Sequence, residues 1–308
     1  MAWGEYEATE KEEKSYVHKV HLNWQNKSYA FSDKVKTISI FGCMKNPLVL
    51  LSPSKAMASV GQYTGQINPV SAHFNQSTKA VIEAVQKLSS ENIQALLKVS
   101  DAMLPRVKLS WEPKPEEFVL PENGISGLTA YQGEAFKRLD INSLSENALF
   151  RAQQSLAVLS GLYGAVTADM AILPYRLEMQ SKLSVGEHAN LYALWKPIIT
   201  SWVNEHPTPF IVNCCSGEYS KAVDWKKVTK PVIHVDFKQM SNGVAKSISV
   251  FSKQARGAMA RWIFQKDIQT IFGLASFKED GYSLFSQEED KMIFLREWKI
   301  RTPETISC

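Results

Sequence analysis

Residues 156–182 read LAVLSGLYGAVTADMAILPYRLEMQSK, and the rest of the chain is read outward from them. Leu149, Leu156 and Leu159 keep near-helical spacing behind Ser145, which suits an N-cap with Glu146 in the first turn, so the segment is expected to open as a helix. Gly161 and Gly164, with Leu162 and Tyr163 between them, cannot extend a helix cheaply. They suit a tight hairpin whose backbone N–H groups face an anion. Pro174 then forbids regular helix, and Tyr175, Arg176 and Glu178 follow as a dense polar set. The plain alternative is a helix-capping turn followed by a surface ion pair.

A chain of 308 residues can bury a sizeable core, and 44% hydrophobic with 21% charged residues is the composition of an ordinary globular protein. A formal net charge of +4 is compatible with an anionic partner without demanding one. No run approaches the roughly 18 apolar residues of a membrane helix, and MAWGEYEATEKEEK has no apolar core of a secretory signal. The four cysteines (Cys43, Cys214, Cys215 and Cys308) include no CxxC pair, which points to a reducing, cytoplasmic setting rather than a disulfide framework. The histidines form no HExxH pattern, so no built-in metal site and no cofactor is expected.

Two apolar runs, Pro47–Leu51 and Phe210–Asn213, read as buried strands, each followed by a polar loop of small residues. Loops at the ends of buried strands are where α/β proteins gather ligand groups. The first loop offers Ser52 and Lys55; the second begins at Asn213 and carries Ser216, Glu218 and Lys221. Between them, segments 77–88 and 91–100 have helical periodicity, and Tyr131-Gln132-Gly133 is a turn that could line a cleft, or hold a buried tyrosine bonded to backbone. Residues 189–205 read as a core helix, and 231–237 and 246–251 as strands joined by Ser241-Asn242-Gly243. Residues 252–268 form the most basic helix candidate, in which Lys253 and Arg256 lie three apart on one face near the N-terminal end. Cations there oppose the helix dipole and serve either a ligand or a solvated face. Residues 1–43 differ in texture and are expected to be an upstream extension, poorly ordered or an alternative start, ahead of a domain spanning 44–308.

Taken in order, SPSK, TAYQG, LSGLYG, PYRLEM, NCCSGEYSKAV and FSKQARGAMAR are similar in sequence and spacing to the motifs of the YaaA family of peroxide-stress proteins. The resemblance covers residues 44–298. It implies an α+β fold, a single compact domain with a basic cleft and a helix-hairpin-helix-like element mapping onto Gly161–Gly164. It also implies a cytoplasmic protein of the hydrogen peroxide response that binds DNA and helps limit iron-dependent oxidative damage. Ser54-Lys55-Ala56 stands where the family carries Ala-Lys-Thr, and Thr167, Ala168 and Met170 replace an arginine–proline pair and an aspartate.

Two functions compete. In the first, Lys55, Gly161, Gly164, Arg176, Lys221, Lys253 and Arg256 contact DNA phosphates, in duplex or junction, without reading sequence; about six contacts would cost a thousandfold in affinity between about 50 and 200 mM salt. In the second, Ser52, Tyr131, Tyr175, Glu178, Asn213, Ser216 and Glu218 join the cations around a small anionic or nucleotide-like substrate, since mixed Glu, Asn, Ser and Tyr suit recognition or acid–base work. No nucleophile–base triad is visible. A third idea, iron held by Cys214, Cys215 and Glu218, is weakened because adjacent cysteines rarely give one ion good geometry.

Overall fold

Leu48–Leu51 (β1) is LVLL, with every residue buried. A strand without a polar face must be covered on both sides, and this one lies inside a sheet with a parallel neighbour on each edge. The computed structural model describes residues 46–59, 68–241 and 243–297, so the expected extension over 1–43 lies outside the described residues. The remaining strands are β2 (Ile125–Ser126), β3 (Leu156–Ser160), β4 (Gly164–Thr167), β5 (Ala171–Ile172), β6 (Ile211–Asn213), β7 (Val232–Ser241), β8 (Val244–Lys246), β9 (Ser283–Gln287) and β10 (Lys291–Glu297). The helices that matter for the site are α1 (Ala72–Gln86), α2 (Glu134–Leu139), α3 (Glu146–Ser155), α4 (Leu191–Glu205), α5 (Gly217–Ser220) and α6 (Ser249–Lys266).

The main sheet runs β4-β3-β1-β6-β7-β10-β9, with β8 paired to β7. Its five inner strands are parallel, whereas β4, β8 and β9 are antiparallel additions, and β2 with β5 forms a separate two-stranded sheet. The described residues belong to one compact unit, a single α+β domain with a mixed sheet. Among them no helix is long and apolar enough to cross a membrane.

The sheet is covered by helices whose ends are set by local chemistry. Asn190 caps α4 by accepting from the Ala193 N–H (2.9 Å), and the buried Trp195 of that helix donates to the Gly161 carbonyl (2.9 Å). Phe74 of α1 packs its ring against Trp195 and Trp202. Helix α6 lies against α2, α3 and β7. Its closest approach is at Gly257, where an added Cβ would meet the Ala135 carbonyl oxygen at 1.8 Å. Only a residue without a side chain lets the two backbones meet there.

Three local expectations are corrected. The helix expected to run through Leu159 stops at Ser155: Ser145 does cap it, accepting from the Ala148 N–H, but LAVLS then pairs as β3 alongside β1. A run apolar on both faces belongs in the middle of a parallel sheet, and that pairing overrides three leucines at helical spacing. The glycine pair therefore sits in a β-hairpin between β3 and β4, not in a helix-hairpin-helix element. Gly164 has φ +70 and packs under Phe74 and Trp195, so this turn is buried. Finally, of the strand expected over 246–251 only Lys246 is extended, as the last residue of β8, and α6 already begins at Ser249.

Candidate functional site

Adjacent parallel strands β1 and β6 lead the chain away in opposite directions. The next strand of the main sheet after β1 lies on one side, as β3, and the next after β6 lies on the other, as β7. Loops that diverge in this way leave a crevice at the carboxyl ends of the strands. Here the loops are Ser52–Ala56 and Cys214–Ser216, and they open onto a cavity of about 430 Å³.

Hydroxyls tie the loops together. The Ser216 N–H donates to Ser52 Oγ (2.8 Å), and the Ser52 hydroxyl donates to Ser216 Oγ (3.2 Å). Ser54 Oγ accepts from the Gln132 N–H (3.1 Å) and the Gly133 N–H (3.0 Å), fastening the β1 loop to the start of α2. The buried Asn213 braces the β6 loop from behind: its Oδ1 accepts from the Cys215 N–H (3.0 Å), and its Nδ2 donates to Ser220 Oγ (2.8 Å) and lies 2.8 Å from His234 Nδ1. Burial pushes the His234 pKa down, which keeps an acceptor lone pair available for that contact. Small polar residues after each strand thus hold the cavity wall in shape.

Five cations line this cavity: Lys55, Lys137, Arg176, Lys253 and Arg256. Three acids do so as well, Glu134, Glu178 and Glu218, so the cleft is mixed in sign with a cationic surplus. Each acid has a partner. Glu178 Oε1 is 2.6 Å from Lys55 Nζ; burial pushes this carboxyl up, but the Lys55 hydrogen bond and charge outweigh it and hold the net value below the ordinary one. Glu134 accepts from Gln254 (2.7 Å) and pairs with Lys137 (3.1 Å), and both lower its pKa. Glu218 accepts from the Gln180 N–H (3.2 Å), yet burial, with the Glu178 charge adding, raises its pKa. Glu178 and Glu218 therefore differ in environment, one held by an ammonium and one by a backbone amide.

The two arginines differ from Lys55 and Lys137. Both are partly buried, and among the described residues neither Arg176 nor Arg256 makes a hydrogen bond or ion pair, while Arg256 Nε is shut away from solvent without any partner. Both side chains nevertheless line the cavity, where an anion would meet guanidinium nitrogens that no protein acceptor occupies.

Behind the cleft, Ser160 Oγ accepts from the Leu162 N–H (3.1 Å) and the Tyr163 N–H (2.9 Å) and lies 2.6 Å from the Tyr175 hydroxyl. Tyr175 in turn is 3.0 Å from the Tyr131 hydroxyl. Burial pushes the Tyr175 phenol up to about 12 and Tyr131 well above its ordinary value, so both stay protonated and structural. Burial likewise pushes the Cys214 thiol to about 12 and Cys215 well upward. Among the described residues no group of three or more His, Cys, Asp or Glu is placed to hold a metal ion.

Of the residues singled out in the sequence, Ser52, Lys55, Tyr175, Arg176, Glu178, Ser216, Glu218, Lys253 and Arg256 all line the one cavity. Tyr131 stands one hydrogen bond behind it, through Tyr175, and Asn213 lies just before the lining Cys214 without lining the cavity itself. Gly161 and Gly164 do not line it, and two hairpin amides expected to face an anion are already bonded to Ser160. Lys221 is exposed and also lies outside it. Sequence reading passed over Ser54, Glu134 and Lys137. The signal for the last two was present: the turn at Tyr131–Gly133 opens directly into EAFKRL, whose first acid and following lysine share one face.

Comparison with known proteins agrees with this arrangement of motifs. A family model described as peroxide stress protein YaaA matches residues 48–288. A UPF0246 protein of Shewanella piezotolerans is 35% identical over 257 residues, covering 81% of this chain and 99% of the relative. One from Aliivibrio fischeri is 35% identical over 260 residues (81% and 98%), and one from Flavobacterium psychrophilum is 33% identical over 240 residues (76% and 93%).

Proposed function

The chain belongs to the peroxide stress protein YaaA family, and on that footing we propose that it is a cytoplasmic peroxide-response protein whose cleft binds DNA phosphates. By occupying phosphates that would otherwise attract ferrous iron, it helps limit iron-dependent oxidative damage. The observation carrying this reading is the convergence of five cations, delivered by four separate segments, on one cavity. Backbone recognition needs no base contacts, so binding is non-specific in sequence and sensitive to salt.

The pairing of side chains sets the magnitude. Lys55 is committed to Glu178 and Lys137 to Glu134, which leaves Arg176, Lys253 and Arg256 to neutralise phosphates. About three such contacts give a fall in affinity of about fortyfold between about 50 and 200 mM salt. The test is fluorescence anisotropy with labelled duplex and four-way-junction DNA at both salts, for the wild type and for Arg176→Ala/Arg256→Ala. Salt-dependent binding weakened in the double variant supports the reading; binding that the variant leaves untouched places DNA elsewhere.

A second reading, an enzyme acting on a small anionic or nucleotide-like substrate, is favoured by Glu178 and Glu218. Two carboxylates with opposed pKa shifts in a switch-point cavity suit acid–base work better than plain backbone binding does. Absence of DNA binding at either salt would turn attention to it.

A further inference from the structure

The cleft contains more selectivity than contact with a nucleic-acid backbone requires. Its acids are satisfied internally, by Lys55, by Lys137 with Gln254, and by the Gln180 amide. Its two arginines are not: among the described residues neither makes a hydrogen bond or ion pair, and both line the cavity. An arginine presents a planar fork that matches two oxygens of one anion, and two such forks supply two positive charges. A phosphodiester inside a chain carries one charge and two unshared oxygens, which one fork satisfies. A phosphomonoester carries up to two charges and three unshared oxygens.

The loops after β1 and β6, with Ser52 and Ser216 bonded to each other, form part of the wall of this cavity of about 430 Å³ and hold it in shape beside the arginines.

We infer that Arg176 and Arg256 form a subsite for a phosphomonoester dianion, the terminal phosphate of a nucleic-acid end or of a small phosphorylated molecule. The inference rests on the cleft-binding reading above and narrows it to a ligand class. Lys253, one turn before Arg256 on α6, adds charge at the rim. Oxidative cleavage of deoxyribose leaves strand ends bearing phosphate, so a site for that group suits a protein of the peroxide response.

The test uses the full chain and one duplex sequence prepared with hydroxyl ends, a 5′-phosphate or a 3′-phosphate, alongside a nucleoside 5′-monophosphate and its unphosphorylated nucleoside. Anisotropy follows the duplexes, and calorimetry follows the small molecules. A phosphate-bearing end is expected to bind about tenfold tighter than a hydroxyl end, from one added charge-assisted arginine contact. Arg176→Lys/Arg256→Lys keeps the charge but loses the forks, and should lower that preference more than it lowers binding to the hydroxyl-ended duplex. A melting temperature for each variant separates lost recognition from lost folding. Monophosphate binding without any duplex binding supports the subsite with a small-molecule source, and overturns the DNA reading alone. Equal binding of phosphate- and hydroxyl-ended duplexes, with no monophosphate binding, overturns the subsite and leaves the DNA reading standing.

Discussion

Replacing Gly257 by alanine sets two effects of opposite sign against each other. Helix propensity alone favours the change by about 1 kcal/mol, because glycine in a helix interior costs backbone entropy. The packing opposes it. The new Cβ would stand 1.8 Å from the Ala135 carbonyl oxygen and 2.6 Å from its carbonyl carbon, where ordinary contact begins at 3.4 Å. Both atoms are backbone, so no rotamer change relieves the clash, and α6 must retreat locally by about 1.6 Å. Overpacking of this kind costs about 3 kcal/mol, which leaves a net loss of about 2 kcal/mol. In a domain of this size that lowers the melting temperature by about 4–8 °C. The retreat also carries Lys253 and Arg256 away from the wall formed by Gly133–Lys137, so affinity for a cleft ligand should fall along with stability. Differential scanning fluorimetry and urea unfolding measure the first effect, and anisotropy the second. A melting temperature unchanged or raised in Gly257→Ala would refute the close approach of α6 to α2.

Three further outcomes follow from the geometry. Ser54→Ala removes the acceptor for the Gln132 and Gly133 amides and should lower unfolding free energy by about 1–2 kcal/mol in urea titrations; no change would mean water replaces the hydroxyl at no cost. Burial, with the Lys230 charge adding, pushes the His206 imidazole down to about 4, so the folded state resists a proton that the unfolded chain accepts near 6.5. Stability from this group is complete above that ordinary value and is lost as pH falls toward 4, so His206→Phe should reduce the acid sensitivity seen between about pH 7 and 5 by about 1 kcal/mol, and an unchanged pH slope would contradict this. Cys214 and Cys215 are buried thiols with raised pKa values, so mass-spectrometric mapping after brief peroxide or iodoacetamide treatment should find both unmodified in the native protein and modified in urea; rapid native modification would contradict their burial.

Sequence patterns carried the site further than they carried the fold around it. Polar loops after two apolar runs brought Ser52, Lys55, Ser216 and Glu218 together because short, fully apolar strands have one place to go, the middle of a parallel sheet, and their exits then share an edge. The same rule applies to LAVLS, where Leu156 and Leu159, at helical spacing from Leu149, conceal a strand. Nothing local distinguishes a buried strand from a buried helix segment; pairing with β1, distant in sequence, decides it. The hairpin glycines conceal their role for a related reason, since Gly161 answers to the close backbone of Leu177 and Glu178 and Gly164 to the rings of Phe74 and Trp195. Which cations remain uncommitted was also illegible. Lys55 and Arg176 look alike in a sequence, and only the fold shows that Glu178 takes the lysine and leaves the arginine without a partner among the described residues.

The most direct test of the account is phenylglyoxal modification of arginines, mapped by mass spectrometry with and without phosphate-ended duplex DNA. Arg176 and Arg256 should react in the unliganded protein and lose reactivity together when DNA saturates it. Arg138, paired with Asp280, and Arg261, bonded to backbone carbonyls of Leu139 and Asp140, should show no such change. Full reactivity of Arg176 and Arg256 in the presence of bound DNA would contradict the claim that phosphates occupy this cleft.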